Sequence, residues 1–130
     1  MVNNNPTNKK KVLMDQGLHE EGKKLLLERD DIEPITIMSA NENEIMEAAK
    51  DVHGITVRTA NISRKIIENS KNLLIVSRHG VGYDSIDVDA LNDSNIPLAI
   101  AAHSNMISVA EHAMFMLLAL SKNVFYYDSF

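Results

Sequence analysis

Residues 72–82 read Asn-Leu-Leu-Ile-Val-Ser-Arg-His-Gly-Val-Gly, a short apolar run followed by a glycine turn. The four consecutive apolar side chains at 73–76 predict a strand over residues 72–78. An unbroken apolar run, rather than an alternating one, is typical of a strand whose two faces are both covered by helices. This stretch therefore favours a parallel sheet inside an α/β fold.

The chain on either side of this stretch alternates between strand-like and helix-like patterns. Four further strands are predicted, at residues 11–14, 32–38, 54–58 and 96–102. Helical spacing of apolar residues predicts helices around 18–26, 41–52, 62–69, 88–91 and 105–123. Pro34 suits an edge strand, since proline has no backbone N–H to donate to a neighbouring strand. The alternation predicts a five-stranded parallel sheet with helices on both faces and right-handed crossovers.

Two helix starts carry the spacing of a capping box, in which a polar side chain and an acid three residues later cap each other. Asn41 with Glu44 predicts one such start, and Ser108 with Glu111 predicts the other.

Composition excludes several classes of protein. The chain has 130 residues, the size of one domain, with 45% apolar residues, 24% charged residues and a formal net charge of −5. This balance argues against a nucleic-acid surface, which needs clustered positive charge. No cysteine is present, so disulfides and thiolate sites are excluded. The longest apolar run, residues 113–120, falls far short of the roughly 20 residues that span a bilayer.

The first ten residues are polar and then basic, with no apolar signal core after them. We expect residues 1–10 to form a disordered lead and the protein to be cytoplasmic.

The last predicted helix is unusual because residues 113–120 are apolar on every side. Such a helix is normally buried all round. Two interpretations stay open at this point. It is either a central core helix, or a helix that packs against a second domain or subunit which this chain lacks.

The candidate binding residues follow the carboxyl ends of the predicted strands, where parallel α/β sheets bind their ligands. Arg58 and Thr59 end the third strand, the glycine turn at 80–82 follows the fourth, and Asn105 begins the last helix. Bare backbone amides, a helix start and a guanidinium all favour an anion, most simply a carboxylate. The alternative is that the glycines only make a turn and Arg58 is a solvated strand end.

Other sites are less well supported. The five histidines have no metal-ligand spacing, so no metal site is predicted. Glu111 and His112 are neighbours on a helix and point in different directions, which argues against an acid–base pair. The turn at 80–82 lacks the third glycine of a dinucleotide-binding loop.

Three motifs, in this order and spacing, resemble one known family. They are 57–59 (Val-Arg-Thr), 77–87 (Ser-Arg-His-Gly-Val-Gly-Tyr-Asp-Ser-Ile-Asp) and 104–112 (Ser-Asn-Met-Ile-Ser-Val-Ala-Glu-His). The family is the D-isomer-specific 2-hydroxyacid dehydrogenases, which includes the phosphoglycerate dehydrogenases, and the resemblance covers about residues 11–123.

The resemblance implies a domain organisation. Residues 11–104 would form a flavodoxin-like, three-layer substrate (catalytic) domain, and residues 105–130 an interdomain helix that leads to an absent Rossmann domain. The family's catalytic arginine, acidic residue and histidine, and its cofactor loop, lie in that later part. The resemblance therefore implies no catalytic residue in this chain, and the isolated chain would be inactive.

The resemblance also implies roles for individual residues. Arg58, Thr59, Val81, Gly82 and Asn105 would bind the substrate, and Val81 would also lie near the nicotinamide of NAD or NADP. The implied activity is hydride exchange between that cofactor and a small D-2-hydroxy or 2-oxo carboxylate, in an enzyme expected to be a homo-oligomer.

A competing interpretation is a truncated, non-catalytic flavodoxin-like domain that binds small carboxylates or pairs with another subunit. A phosphorylation receiver is disfavoured, because Asp15 stands alone after the first strand and residues 103–105 contain no lysine. A flavin-binding domain is disfavoured because residues 15–18 are too short and too acidic to hold a phosphate.

Overall fold

The computed structural model describes residues 9–128, in which strands and helices alternate. The strands are β1 (Lys10–Asp15), β2 (Ile32–Ile37), β3 (Gly54–Val57), β4 (Ile75–Arg78) and β5 (Leu98–Ile100). The helices are α1 (Glu20–Leu27), α2 (Glu42–Ala48), α3 (Arg64–Asn69), α4 (Val88–Asp93), α5 (Met106–Ser121) and α6 (Val124–Tyr127). Residues 1–8 of the predicted disordered lead and residues 129–130 lie outside the described residues, whereas Lys10 belongs to β1.

The predicted five-stranded parallel sheet is confirmed. The strands pair in the order β2-β1-β3-β4-β5, and each neighbouring pair is parallel. The strand that contains Pro34 is at the edge, as predicted. The chain passes from β1 to β2 in one direction across the sheet, and from β2 through β3 and β4 to β5 in the opposite direction. Right-handed crossovers therefore put α1 on one face of the sheet and α2, α3 and α4 on the other.

The core lies between the sheet and the layer of α2, α3 and α4. Alternate strand residues point to this side. The buried cluster includes Leu13 from β1, Ile55 from β3 and Val76 from β4, with Ile45 and Ile66 from the helices. Burial of these branched side chains is the main force that holds the helices on this face.

The opposite face is less covered, and the expectation that the fourth strand is covered on both faces is wrong. In β4, Val76 is buried but Ile75 keeps 42% of its surface exposed, and Leu74, just before the strand, keeps 58%. A Cβ on Gly54 would contact both Ile75 and Val12, so these positions share the face away from the core cluster. Only α1 crosses on that side, next to β1 and β2, so no crossover helix reaches β4.

The two predicted helix starts have different outcomes. The Asn41 side chain caps α2 by accepting hydrogen bonds from the Asn43 and Glu44 amides, as predicted, but the reciprocal half of the capping box is wrong, because the Asn41 amide donates to the Ser39 hydroxyl rather than to Glu44. The Ser108 prediction is wrong, because α5 begins at Met106 and Ser108 lies inside it.

The C-terminal helix exists but is not a core helix. Ala119 is the only α5 residue that is buried, while Leu117 is 62% exposed. This rules out the central-core interpretation for the described chain. No helix within residues 9–128 is long and apolar enough to cross a membrane.

His53 makes the stability of the fold depend on pH. Its Nδ1 accepts a hydrogen bond from the Lys11 amide at 3.2 Å. Burial, followed by the charges of Lys10 and Lys11, lowers the pKa of His53 below its ordinary 6.5. As the pH falls through that value, the unfolded chain binds a proton at His53 before the folded chain does. Stability contributed by the neutral ring is therefore present above pH 6.5 and is lost as the pH falls towards the folded pKa.

We expect the melting temperature of the wild type to fall more between about pH 7.5 and about pH 5.5 than that of His53→Gln. Thermal melts of both proteins, with the exposed His103→Gln as control, measure this. Equal falls in all three proteins would contradict it.

Candidate functional site

Two loops lie side by side at the carboxyl edge of the sheet. The β3–α3 loop is residues 58–63 and the β4–α4 loop is residues 79–87. The two strands before them are paired, and the His79 amide donates to the Val57 carbonyl at 2.8 Å. Ile62 then bridges the loops, because its amide donates to Ser85 at 2.8 Å and its carbonyl accepts from Asp87 at 2.9 Å. The sheet register and this bridge hold the loops in a fixed relation.

The amides of Val81 and Gly82 in the β4–α4 loop have no acceptor among residues 9–128. Val81 is 38% exposed, and a Cβ on Gly82 would have only Asp84 Oδ2 as a neighbour, at 3.7 Å. The backbone here is therefore open to an incoming group. Successive free amides form a concave site that favours an anion.

Gly80 sets the direction of this loop. Its φ is +143°, a conformation that L side chains rarely adopt. Its carbonyl accepts from the Ala101 amide at 3.0 Å, which links the loop to the chain after β5. The guanidinium of Arg78 lies against it and donates from Nη1 to the carbonyls of Val57 and His79.

Replacing Gly80 by alanine is expected to destabilise the fold by about 1–3 kcal/mol, because the new Cβ strains the backbone. That Cβ would also lie 3.1 Å from Arg78 Nη1. Urea denaturation measures the loss. Gly82→Ala is the matched control, since Gly82 does not have a positive φ and has open space around it. Equal stability of the two variants would contradict the prediction.

The β3–α3 loop contributes side chains to the site. Arg58 is exposed, and its guanidinium forms no hydrogen bond or ion pair with residues 9–128. The Thr59 hydroxyl donates to Gln16 Oε1, which follows β1. A cationic, planar donor is thus available on the loop next to the one that has the free amides.

Asn105 is not brought into contact with these groups. It is exposed, precedes the first residue of α5 and makes no side-chain cap, while its carbonyl accepts from the Val109 amide at 2.9 Å. The structure thus brings together the two loops that carry Arg58, Thr59, Val81 and Gly82. Asn105 lies apart from them in the sequence, just before the first residue of α5.

Two residues next to the site follow from their positions at strand ends, but reasoning from the sequence gave them no role. Asp15 is 1% exposed, and its Oδ2 accepts from the amides of Arg58, Thr59 and Ala60. Arg78 supports the glycine turn as described above. An acid at the carboxyl end of the first strand is the signal that could have drawn attention to a role for Asp15. For metal ions, no group of three or more His, Asp or Glu side chains that could bind one occurs within residues 9–128.

Comparison with known proteins agrees with this architecture. Residues 12–126 match the family described as "D-isomer specific 2-hydroxyacid dehydrogenase, catalytic domain". This chain belongs to that family. The family resemblance inferred from the three sequence motifs is thereby confirmed.

Individual relatives from this family cover most of the chain. It is 35% identical over 115 residues to D-3-phosphoglycerate dehydrogenase of Methanocaldococcus jannaschii, covering 88% of this chain and 22% of that protein. It is 31% identical to hydroxypyruvate reductase of Thermotoga maritima, covering 88% of this chain and 37% of that protein. The structure of NAD⁺-bound 3-phosphoglycerate dehydrogenase from Entamoeba histolytica superposes with a TM-score of 0.72 at 27% identity, covering 85% of this chain and 39% of that one. The chain therefore spans between about a fifth and two fifths of these proteins.

Proposed function

We propose that this chain forms the substrate-binding half of the cleft of an NAD(P)-dependent oxidoreductase that acts on the CH–OH group of a D-2-hydroxy acid. The reverse reaction is the reduction of a 2-oxo acid. The observation that carries the proposal is the pair of unpaired amides at Val81 and Gly82, together with the unpaired guanidinium of Arg58 on the neighbouring loop.

Each residue has a defined part in this proposal. The amides of Val81 and Gly82 bind the substrate carboxylate, since both point to no protein acceptor among residues 9–128. Arg58 contacts the substrate through its side chain and balances its negative charge. Thr59 lies next to Arg58 on the same loop, and Asn105 would lie at the substrate's edge of the cleft. Together the two loops hold and orient a small carboxylate.

The cofactor is NAD or NADP, which when bound supplies or accepts the hydride at the C2 carbon of the substrate. Val81 is the residue of this chain that would contact it. The side chain is partly exposed, and it is flanked by two glycines that leave the backbone accessible. The choice between the two cofactors depends on residues outside this chain.

We assign residues 11–104 to the substrate domain and residues 105–130 to the helical segment that leads to a Rossmann domain. The exposed apolar surface of α5 and α6 supports this assignment, because such a surface needs a covering partner. A cytoplasmic location, a homo-oligomeric assembly and the absence of nucleic-acid and membrane partners stay predictions from the sequence.

The 130-residue chain by itself is expected to be catalytically inactive, since hydride transfer needs both halves of the cleft in near-attack geometry. The measurement is NADH or NADPH oxidation with a panel of 2-oxo acids. Turnover above the enzyme-free control would contradict the expectation.

Binding of pyruvate, followed by amide NMR, tests the proposed function. We expect the largest shift changes at Val81, Gly82 and Arg58. Acetone is the matched ligand control, because it retains the ketone and lacks the carboxylate. Equal effects of the two ligands, or pyruvate-induced changes only elsewhere, would contradict carboxylate binding at this site.

A second function, pairing with another subunit without catalysis, is compatible with one specific observation. Apolar side chains along α5 and α6 are exposed around the whole circumference of the helix, including Phe115 and Leu120. This surface fits either a second domain or a second chain, and the Discussion gives the experiment that addresses it.

A further inference from the structure

The carboxylate of Asp15 occupies an anion site made by the protein's own backbone. One oxygen, Oδ2, accepts from three consecutive amides, those of Arg58 at 3.1 Å, Thr59 at 3.3 Å and Ala60 at 3.1 Å. The residue is 1% exposed, and its other oxygen, Oδ1, is buried with no partner among the described residues. Ionic acceptors make hydrogen bonds about twice as strong as neutral ones, so this contact determines the loop conformation.

The two loops of the cleft consequently use their amides in opposite ways. In the β3–α3 loop the amides of Arg58, Thr59 and Ala60 are filled by Asp15 from inside the protein. In the β4–α4 loop the amides of Val81 and Gly82 stay free. A ligand carboxylate therefore cannot bind the amides of residues 58–60, whereas those of Val81 and Gly82 are open to it.

Gln16 gives the same loop a second attachment to the end of β1. Its φ of +54° is in the left-handed region, and its side chain accepts from the Thr59 hydroxyl. Its amide donates to the Ile37 carbonyl at 2.8 Å, which fixes its backbone against β2. The end of β1 thus holds both the backbone and a side chain of the loop that carries Arg58.

We propose that Asp15 is a positioning residue for the substrate cleft. By filling the amides of residues 58–60, it fixes the backbone from which Arg58 extends and directs the ligand carboxylate to the amides of Val81 and Gly82. Asp15 does not touch the substrate. The proposal deepens the proposed function and rests on it for the identity of the ligand.

Two variants of the full chain test the proposal, Asp15→Ala and Asp15→Asn, with the exposed Asp51→Asn as the control. The asparagine oxygen can still accept from the amides, so this variant keeps the experiment informative if the alanine variant does not fold. We expect amide hydrogen exchange at residues 58–60 to accelerate by about tenfold or more in Asp15→Ala, and less in Asp15→Asn. We expect the Kd for pyruvate to rise by about tenfold in Asp15→Ala.

Formate provides a test specific to the missing carboxylate. In Asp15→Ala the space left by the deleted group has the size of formate, so added formate is expected to slow exchange at residues 58–60 and restore pyruvate affinity. Chloride at the same ionic strength is the control. A general loss of packing would not be corrected by a small carboxylate.

The outcomes separate the two claims. Unchanged exchange at residues 58–60 would overturn the role of Asp15, and so would faster exchange with unchanged affinity for pyruvate. If the wild type binds no pyruvate, the proposed function fails. In that case, amide hydrogen exchange at residues 58–60 and its rescue by formate still test whether Asp15 fixes the loop.

Discussion

Replacing Arg58 by glutamine is expected to weaken pyruvate binding by about 10- to 100-fold, the range for losing a hydrogen bond to a charged group. Arg58 is exposed and its guanidinium has no partner within the described part of the chain, so the substitution removes no internal contact. The backbone amide that donates to Asp15 is retained in the variant. The loss should therefore appear in ligand affinity and leave the free energy of unfolding almost unchanged. NMR titration and urea denaturation measure the two quantities.

Two further variants show whether charge or geometry is responsible. Arg58→Lys keeps the positive charge but loses the planar pair of donors, and we expect an intermediate affinity. Lys65→Gln removes an exposed positive charge from α3 and controls for net charge. An unchanged Kd in Arg58→Gln, or an equal loss in Lys65→Gln, would contradict direct contact between Arg58 and the carboxylate.

The second large effect concerns the apolar surface of α5 and α6. More than half of the exposed large apolar side chains of the described chain lie between Met106 and Tyr127, and Phe125 is 79% exposed. Apolar patches of this kind drive association because burial removes them from water. We expect the wild-type chain to self-associate, and the double variant Leu117→Glu with Phe125→Lys to be a monomer. Light scattering coupled to size exclusion, over a range of concentrations, measures the mass.

The control for this experiment is Met38→Glu, which adds a charge at an exposed apolar residue far along the chain from α5. This variant should associate like the wild type. A monodisperse wild-type monomer at high concentration would contradict the prediction. Such a result would leave the amides of Val81 and Gly82 unaffected as evidence for carboxylate binding, because they lie on a different part of the chain.

The local pattern of the sequence was sufficient to predict how many strands the chain has, that they are parallel, and where along the chain they occur. The apolar runs and the intervening helical spacing depend on neighbouring residues only, and Pro34 marked the edge strand correctly. The three motifs identified the family for the same reason, since each is a short contiguous segment. The candidate residues Arg58, Thr59, Val81 and Gly82 were found because they follow strand ends, and their roles stay predictions.

Contacts between distant residues could not be read in this way. Asp15 binds amides 43 to 45 positions further along the chain, and nothing local to either segment predicts that contact. Ser108 has the spacing of a cap but lies inside a helix that starts earlier. Leu74 and Ile75 belong to an apolar run that predicts a strand covered on both faces. Both are exposed, because only one face of the sheet has a full layer of helices.

The sequence by itself determined which segments form strands and helices, because hydrophobic periodicity and turn residues act over a few positions. Only the tertiary structure decided which strand ends meet and which apolar surfaces are left uncovered. After β2 the next strand is added on the other side of β1, so β1 lies next to β3. The carboxylate of Asp15 at the end of β1 therefore reaches the loop that carries Arg58. The same strand order leaves α1 as the single crossover helix on the face opposite α2, α3 and α4. The side chain of Ile75 is exposed on that face.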